Sequence, residues 1–307
     1  MVRNRLQTIA LTLTAAMAAC SSPPARHEFD AEQAMTRVRE QLDFGPRIPG
    51  TSGHAAMAAW LDSLSRAVAH ATVVDQWDHV TAAGDTVAMF NVMARFNPEA
   101  QRRVLYLAHW DTRPVSDGPT STDQQQPVPG ANDGASGVAI LLGVMDALAE
   151  EPPPATLGVD LLFVDGEDLG DFGPPRVDVL VGSTRYAGNV SPAARPEFAV
   201  VWDMVGASGL RIGQESLSLV AASDVVSRVW GAAAALGYGH IFVQETTDPI
   251  TDDHVPLIDV GIKAIDVIGW PYPHWHTPED TFDKISQESL EAVGNTAIAV
   301  VRSVQER

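Results

Sequence analysis

One cysteine in 307 residues excludes an internal disulfide, so the fold must rest on its packed core. Basic residues are scarce as well. Twenty Lys and Arg face 39 Asp and Glu, a formal charge of -19. Nucleic-acid binders release counterions through clustered Lys and Arg, and no such run occurs, so no nucleic-acid partner is expected. Beyond the N-terminus no segment reads as the ~20-residue apolar run of a membrane-crossing helix, and no internal repeat is visible. What is present is a chain 45% hydrophobic and 19% charged, the composition of a folded globular protein.

The lone cysteine has an informative position. Arg3 and Arg5 precede an apolar run, Ile9 to Met17, and the small residues Ala18 and Ala19 lead directly into Cys20. That order reads as a signal peptide over 1–19 with a lipidated cysteine as the new N-terminus, an ordinary signal peptide being the alternative. The expectation is an exported protein on the periplasmic side of a bacterial membrane, held by a lipid on Cys20 through a tether over 20–27. Residues 28–307 would then form a single catalytic domain and act as a monomer. Losing Arg3 and Arg5 would take the charge from -19 to -21.

Within the body, helical spacing marks Glu28–Leu42 and Ser52–Ala69, and a hairpin joins strands Thr72–Trp77 and Thr86–Phe96 across Ala83-Gly84-Asp85. From Val104 the rhythm becomes strand, loop, helix. Apolar strands at Val104–Ala108, Val159–Val164, Phe198–Trp202 and Ile262–Ile268 alternate with helices at Ala135–Ala149, Asp224–Leu236 and Gln287–Val304. Continuous apolar strands between helices imply a sheet covered on both faces, hence an α/β fold of three layers, α/β/α, around a mixed, mostly parallel sheet. The polar, Pro-rich stretch Pro114–Gly130 directly after a strand suits the rim of an active site.

The chemistry-bearing groups gather at strand ends. His109 and Asp111 follow one strand, Glu167 and Asp168 a second, Asp203 ends a third and His276 follows a fourth, while Asp133 lies in a turn opening a helix. Parallel strands share one carboxyl edge, where ligands bind, so groups remote in sequence can converge there. Imidazole and carboxylate donors without cysteine suit zinc. In the adjacent pair Glu167-Asp168, one carboxylate can hold metal while its neighbour moves protons. Each group has a plainer reading too: Asp133 as a helix cap, His109 as a hydrogen-bonded core histidine, Asp168 as a solvated charge.

Seven blocks in order carry a resemblance. They are Asp43-Phe44-Gly45-Pro46-Arg47, Ala108-His109-Trp110-Asp111-Thr112-Arg113-Pro114, Gly130-Ala131-Asn132-Asp133-Gly134-Ala135-Ser136-Gly137, Asp165-Gly166-Glu167-Asp168, Trp202-Asp203-Met204-Val205-Gly206-Ala207, Asp252-Asp253-His254 and Trp275-His276-Thr277. Together they resemble the animal-type glutaminyl cyclases, especially exported bacterial members, a group that shares its fold with the zinc aminopeptidases. The resemblance implies one zinc on Asp133, Asp168 and His276, with two ions as the alternative. It implies Glu167 as acid/base, Asp203 as its hydrogen-bonded partner and Asp252 as a second carboxylate beside it. Many relatives carry Glu where this chain has Asp168, a shorter oxygen ligand. His109 and Asp111 would serve a second metal or support the first, and His109 and Asp203 match second-metal positions of two-metal aminopeptidases. Trp275, Trp110 and Phe172 would wall the substrate pocket, with Trp270 and Tyr272 as further candidates. Arg47 would pin the N-terminal segment through a carboxylate. The implied activity is closure of an N-terminal glutamine of a peptide or protein to pyroglutamate with loss of ammonia. The alternatives are a zinc aminopeptidase and a non-catalytic peptide-binding lipoprotein.

Overall fold

A computed structural model describes residues 28–305, so the expected leader over 1–19 and the tether over 20–27 lie outside the described residues. Two helices come first, α1 (Ala31–Leu42) and α2 (Ser52–Val68), each opened by a side-chain cap. Asp30 accepts from Gln33 N–H and Thr51 from His54 N–H, satisfying donors that the first turn leaves free. The hairpin β1 (Ala71–Val80) and β2 (Thr86–Phe96) follows, joined through Gly84 at φ +89°. Then come β3 (Arg102–His109), α3 (Ala135–Glu150), β4 (Leu157–Val164), α4 (Val181–Asn189) and β5 (Phe198–Asp203). The chain finishes with β6 (Ile212–Glu215), α5 (Ser216–Ala235), β7 (Phe242–Thr247), α6 (His254–Asp259), β8 (Ala264–Ile268) and α7 (Gln287–Gln305).

The main sheet has six strands in the order β1-β2-β4-β3-β5-β8. β4, β3, β5 and β8 run parallel, and the β1–β2 hairpin joins antiparallel through β2. Side chains alternate faces along a strand, and here both faces are apolar. Val104, Tyr106 and Ala108 of β3 belong to the large core under α1, α2, α3, α5 and α7. Leu105 and Leu107 belong to a smaller one under α4 and α6. That is the three-layer, mostly parallel architecture expected from the strand composition.

Four elements escape sequence periodicity. β6 and β7 form a short parallel pair, and α4 and α6 are nine and six residues long, too brief to show a helical repeat. α5 begins earlier than Asp224 because Glu215 caps it, accepting from Leu217 N–H and Ser218 N–H, and it kinks at Ala222. By length and a mean hydropathy of 1.2, α5 qualifies as long and apolar enough to cross a membrane, contrary to expectation. Its buried Val225, Val226, Val229 and Trp230 instead join the large core.

Close packing sets where the sheet's carboxyl edge ends. α3 lies over β5 so tightly that a Cβ on Gly137 would stand 2.0 Å from the Trp202 carbonyl oxygen. Backbone cannot yield there as a side-chain tip would. Gly137→Ala is therefore expected to lower stability by about 1–3 kcal/mol in urea denaturation. A variant as stable as the parent would show that this contact can relax.

Candidate metal centre

The four parallel strands deliver their cargo to one edge. β3 brings His109 and, beyond it, Asp111; β4 leads to Asp165, Glu167 and Asp168; β5 ends on Asp203. β8 leads through a loop to Trp275 and His276, and the turn before α3 carries Asp133. β3 is flanked by β4 on one side and β5 on the other, so the crossover direction reverses beside it. Such reversals open a crevice above the sheet. Asp133 does not cap α3: the N-cap is Gly134 at φ +92°, and no side chain bonds there. The capping reading is thereby removed, and the Asp133 carboxylate is left for other work.

Some of the buried acids have backbone partners. Asp111 accepts from the N–H groups of Glu167 (3.1 Å) and Asp168 (3.0 Å), fixing the turn that carries them. Asp280 accepts from the N–H groups of Asn132 (2.9 Å) and Asp133 (3.0 Å) and from the Tyr272 hydroxyl (2.7 Å). Arg47 is fully buried but does not pair with a carboxylate as expected. Its guanidinium donates to the carbonyls of Pro129 (2.5 Å), Gly130 (2.7 Å) and Trp110 (3.4 Å), tying the loop before α3 to the loop after β3. Five donors in a fixed fork suit Arg to loops that present bare carbonyls.

Other acids face one another instead. His276 Nε2 stands 3.1 Å from Asp168 Oδ1 and 3.8 Å from Asp133 Oδ2. Both oxygens are buried, and neither has an aligned hydrogen-bond partner. Two ligands of a tetrahedral zinc sit about 3.3 Å apart, given bonds of about 2.0–2.1 Å. Two carboxylate oxygens without an aligned partner and an imidazole nitrogen at that spacing fit a cation. The other Asp133 oxygen turns the opposite way, 3.1 Å from His109 Nε2, which also meets Asp203 Oδ1 at 3.2 Å. His109, Asp133 and Asp168 thus form a metal-competent group as well. Asp203 pairs with His109 and not, as expected, with Glu167: it projects from the end of β5 toward the end of neighbouring β3.

The charges show what this crowding costs without a cation. Burial, then the charge of Asp168, pushes Asp133 up to about 6. Burial pushes Glu167 well above the carboxylate range, with Asp168, Asp252 and Asp253 adding to the rise and His109 opposing it. For His276 burial opposes protonation, but the Asp168 and Asp117 carboxylates prevail and raise it to about 9. Carboxylates that meet in low dielectric hold protons unless a cation replaces them.

Beside these groups lies a cavity of about 310 Å³. Asp133, Glu167, Asp168, Asp203, Asp252 and His276 line it together with the apolar Phe172, Met204, Ile250, Trp270 and Trp275. Trp275 stacks on the His276 ring at 3.8 Å and meets Trp270 edge-on at 5.2 Å. Trp110 is not part of this wall. It is fully buried, stacks on His54 at 4.4 Å, and donates its indole N–H to the Phe90 carbonyl. Tyr272 likewise lines a separate hollow of about 560 Å³ beyond Trp270, which none of the acidic cluster reaches.

Sequence reasoning missed several supporting groups. Asp117, in the rim loop, accepts at His276 Nδ1 (3.0 Å). Asp165 holds His54 Nε2 (2.9 Å) and accepts from Phe90 N–H (2.7 Å) beneath the crevice. Behind Asp252, the buried Asp266 and His254 also lie close. Asp165 and His254 sat within recognised blocks; Asp117 lies in a loop and Asp266 inside β8, where spacing gives no signal.

The model of peptidase family M28 matches residues 91–301. A solved structure of Porphyromonas gingivalis glutaminyl cyclase is 36% identical with a TM-score of 0.85, covering 90% of this chain and 99% of that one. A leucine aminopeptidase precursor from Bacteroides thetaiotaomicron is 35% identical, TM-score 0.85, over 89% and 97% of the two chains. The mouse glutaminyl-peptide cyclotransferase-like protein is 28% identical over 76% of this chain, which spans 66% of that protein's length. The chain belongs to peptidase family M28, in the zinc aminopeptidase-like fold that these glutaminyl cyclases share.

Proposed function

We propose that the protein is a zinc-dependent glutaminyl-peptide cyclotransferase. The observation that carries this reading is the half-open, aromatic-walled cavity over the acids, with Trp275 stacked on His276. At about 310 Å³ it accommodates one side chain together with its own α-amine, the two reacting ends of an N-terminal glutamine. The similarity to bacterial glutaminyl cyclases over nearly the whole of both chains supports it.

Asp133, Asp168 and His276 would hold one zinc, which when bound polarises the glutamine γ-carbonyl. Phe172, Trp270 and Trp275 enclose the methylene stem and keep water away from the reacting carbon. Confining the amine and the carbonyl of one residue makes the attack intramolecular, and this supplies much of the rate. The amine nitrogen bonds to the side-chain carbonyl carbon, the carbon–nitrogen bond of the amide breaks, and ammonia leaves. Glu167 takes the proton shed by the amine and returns it to the departing nitrogen. Its affinity for protons, raised by burial and by Asp168, suits a group that accepts a proton and then donates it. Asp203, anchored by His109, and Asp252 present carboxylates to the substrate's N-terminus. Asp111 positions Glu167 and Asp168 together through their backbone. Arg3, Arg5 and the apolar run into Cys20 support export and lipid tethering as part of this reading, which would place the enzyme where it meets the N-termini of exported peptides.

A second reading, hydrolysis by an aminopeptidase, is favoured by one feature. Asp133 faces His276 and Asp168 with one oxygen and His109 and Asp203 with the other, so these residues would offer ligands to a second ion as well as a first. Glu167 would then activate water against the first peptide bond.

The two readings differ in their product. Incubation with a Gln-initiated peptide is expected to release ammonia and leave a peptide lighter by about 17 Da, the loss of ammonia on lactam closure. Cleavage of an aminoacyl anilide with no cyclised product would instead establish the aminopeptidase. Glu167→Gln keeps shape and removes the proton carrier. It is expected to lower kcat by about 10²–10⁴-fold while leaving bound zinc in place, measured by ammonia release and elemental analysis of the same sample. Retained kcat would remove Glu167 from the acid/base role.

A further inference from the structure

The rim loop after β3 does more than border the crevice. His276 holds a left-handed backbone conformation, φ +52°, unusual for a residue other than glycine. The loop grips it from two sides. Gly118 N–H donates to the His276 carbonyl (2.9 Å), and Asp117 Oδ1 meets His276 Nδ1 at 3.0 Å. Thr120 adds a bond to the Pro273 carbonyl (3.1 Å). A Cβ at Gly118 would stand 2.1 Å from the Trp275 carbonyl oxygen, so the close approach needs glycine. Asp117 is in turn gripped at both oxygens by Arg113, through Nε (2.6 Å) and Nη2 (2.5 Å). The remaining Arg113 nitrogen, Nη1, donates to the carbonyls of Asp168 (3.2 Å) and Gly170 (2.8 Å) and lies 3.5 Å from Asp168 Oδ1. Two residues beyond Gly170, the Phe172 ring lies 6.0 Å from the same guanidinium.

We propose that Arg113 and Asp117 form a clamp that presets two zinc ligands, His276 and Asp168, and seats the Phe172 wall of the substrate cavity. This rests on the ligand set proposed above. Asp117 accepting at Nδ1 places the ring proton there and leaves the Nε2 lone pair directed at Asp133 and Asp168, where zinc would sit. An isolated ion pair with a half-exposed partner contributes little. This pair differs because Arg113 is 7% exposed and bound by a planar fork, so turning it would break four hydrogen bonds together. Arg113 and Asp117 are positioning residues: they touch the ligands and the wall, not the reacting atoms.

Zinc affinity tests the clamp without reference to turnover. Metal-free protein is titrated with zinc against a chromophoric chelator for the parent, Asp117→Ala, Asp117→Asn and His276→Ala. Thermal unfolding of each metal-free sample runs alongside. Asp117→Ala is expected to bind zinc about 10–100-fold more weakly, and the metal-free melting temperature shows that the weakened sample is still folded. Asp117→Asn, which keeps an acceptor for the Nδ1 proton, recovers part of that loss. Ring-nitrogen NMR of the metal-free parent, recorded above about pH 9 where the His276 ring is neutral, is expected to show its proton on Nδ1, and that preference fades in Asp117→Ala. Parent-like affinity in Asp117→Ala, with affinity lost in His276→Ala, overturns the clamp while leaving the ligand set intact. Parent-like affinity in His276→Ala overturns the ligand set and the clamp with it. If Asp117→Ala does not fold, Asp117→Leu, which keeps the bulk and removes the acceptor, carries the same comparison, and parent-like affinity with the NMR preference unchanged overturns the clamp.

Discussion

Too many carboxylates meet at one edge of this sheet for all of them to stay ionised without help. Asp111, Asp133, Glu167, Asp168, Asp203 and Asp252 are all buried around one crevice, and the side chains there offer few positive charges in return. Taking an unpaired carboxylate out of water is expensive, so each acid must find a hydrogen-bond donor, a proton or a cation. Asp111 and Asp280 find backbone N–H groups. Asp203 finds an imidazole. Asp133 and Asp168 each keep a buried oxygen without an aligned hydrogen-bond donor, both turned toward the His276 ring nitrogen. A metal ion resolves that residue of unmet charge, and the same ion would activate a bound carbonyl.

The fold imposes this convergence and does not merely tolerate it. Parallel strands point their carboxyl ends the same way, and the reversal beside β3 opens space above them. Three kinds of fastening keep the loops in place. Arg47 binds loop carbonyls, the Asn132 and Ser136 side chains stitch the turn before α3 to the segment after β5, and Arg113 links the rim loop to the Asp168 turn. Against such a frame the aromatic wall can be built from one loop, with Trp275 lying flat on the imidazole beside it.

How much of this was legible in the sequence follows from what each signal encodes. Long apolar strands such as Val159–Val164 announce burial on both faces, so the layers and the carboxyl edge could be read directly. Residues at strand ends could be read too, because the topology fixes where a strand end goes. Side-chain direction could not: Trp110, between His109 and Asp111, points the other way along the extended chain and stacks on His54 beneath the site. Asp203 stands at the expected strand end yet pairs with His109, since only the strand order places β5 beside β3. Asp117 lies in a loop without periodicity, and its meeting with His276, 159 positions away, is a product of folding alone.

The identity of the cation is the point on which the rest turns. Anomalous X-ray diffraction at the zinc absorption edge, on protein crystallised with stoichiometric zinc, locates the ion without assuming its ligands. One anomalous peak within bonding distance of Asp133 Oδ2, Asp168 Oδ1 and His276 Nε2 is the predicted result. No peak in the crevice, or one held by His109 and Asp203 while His276 stays unligated, would contradict it.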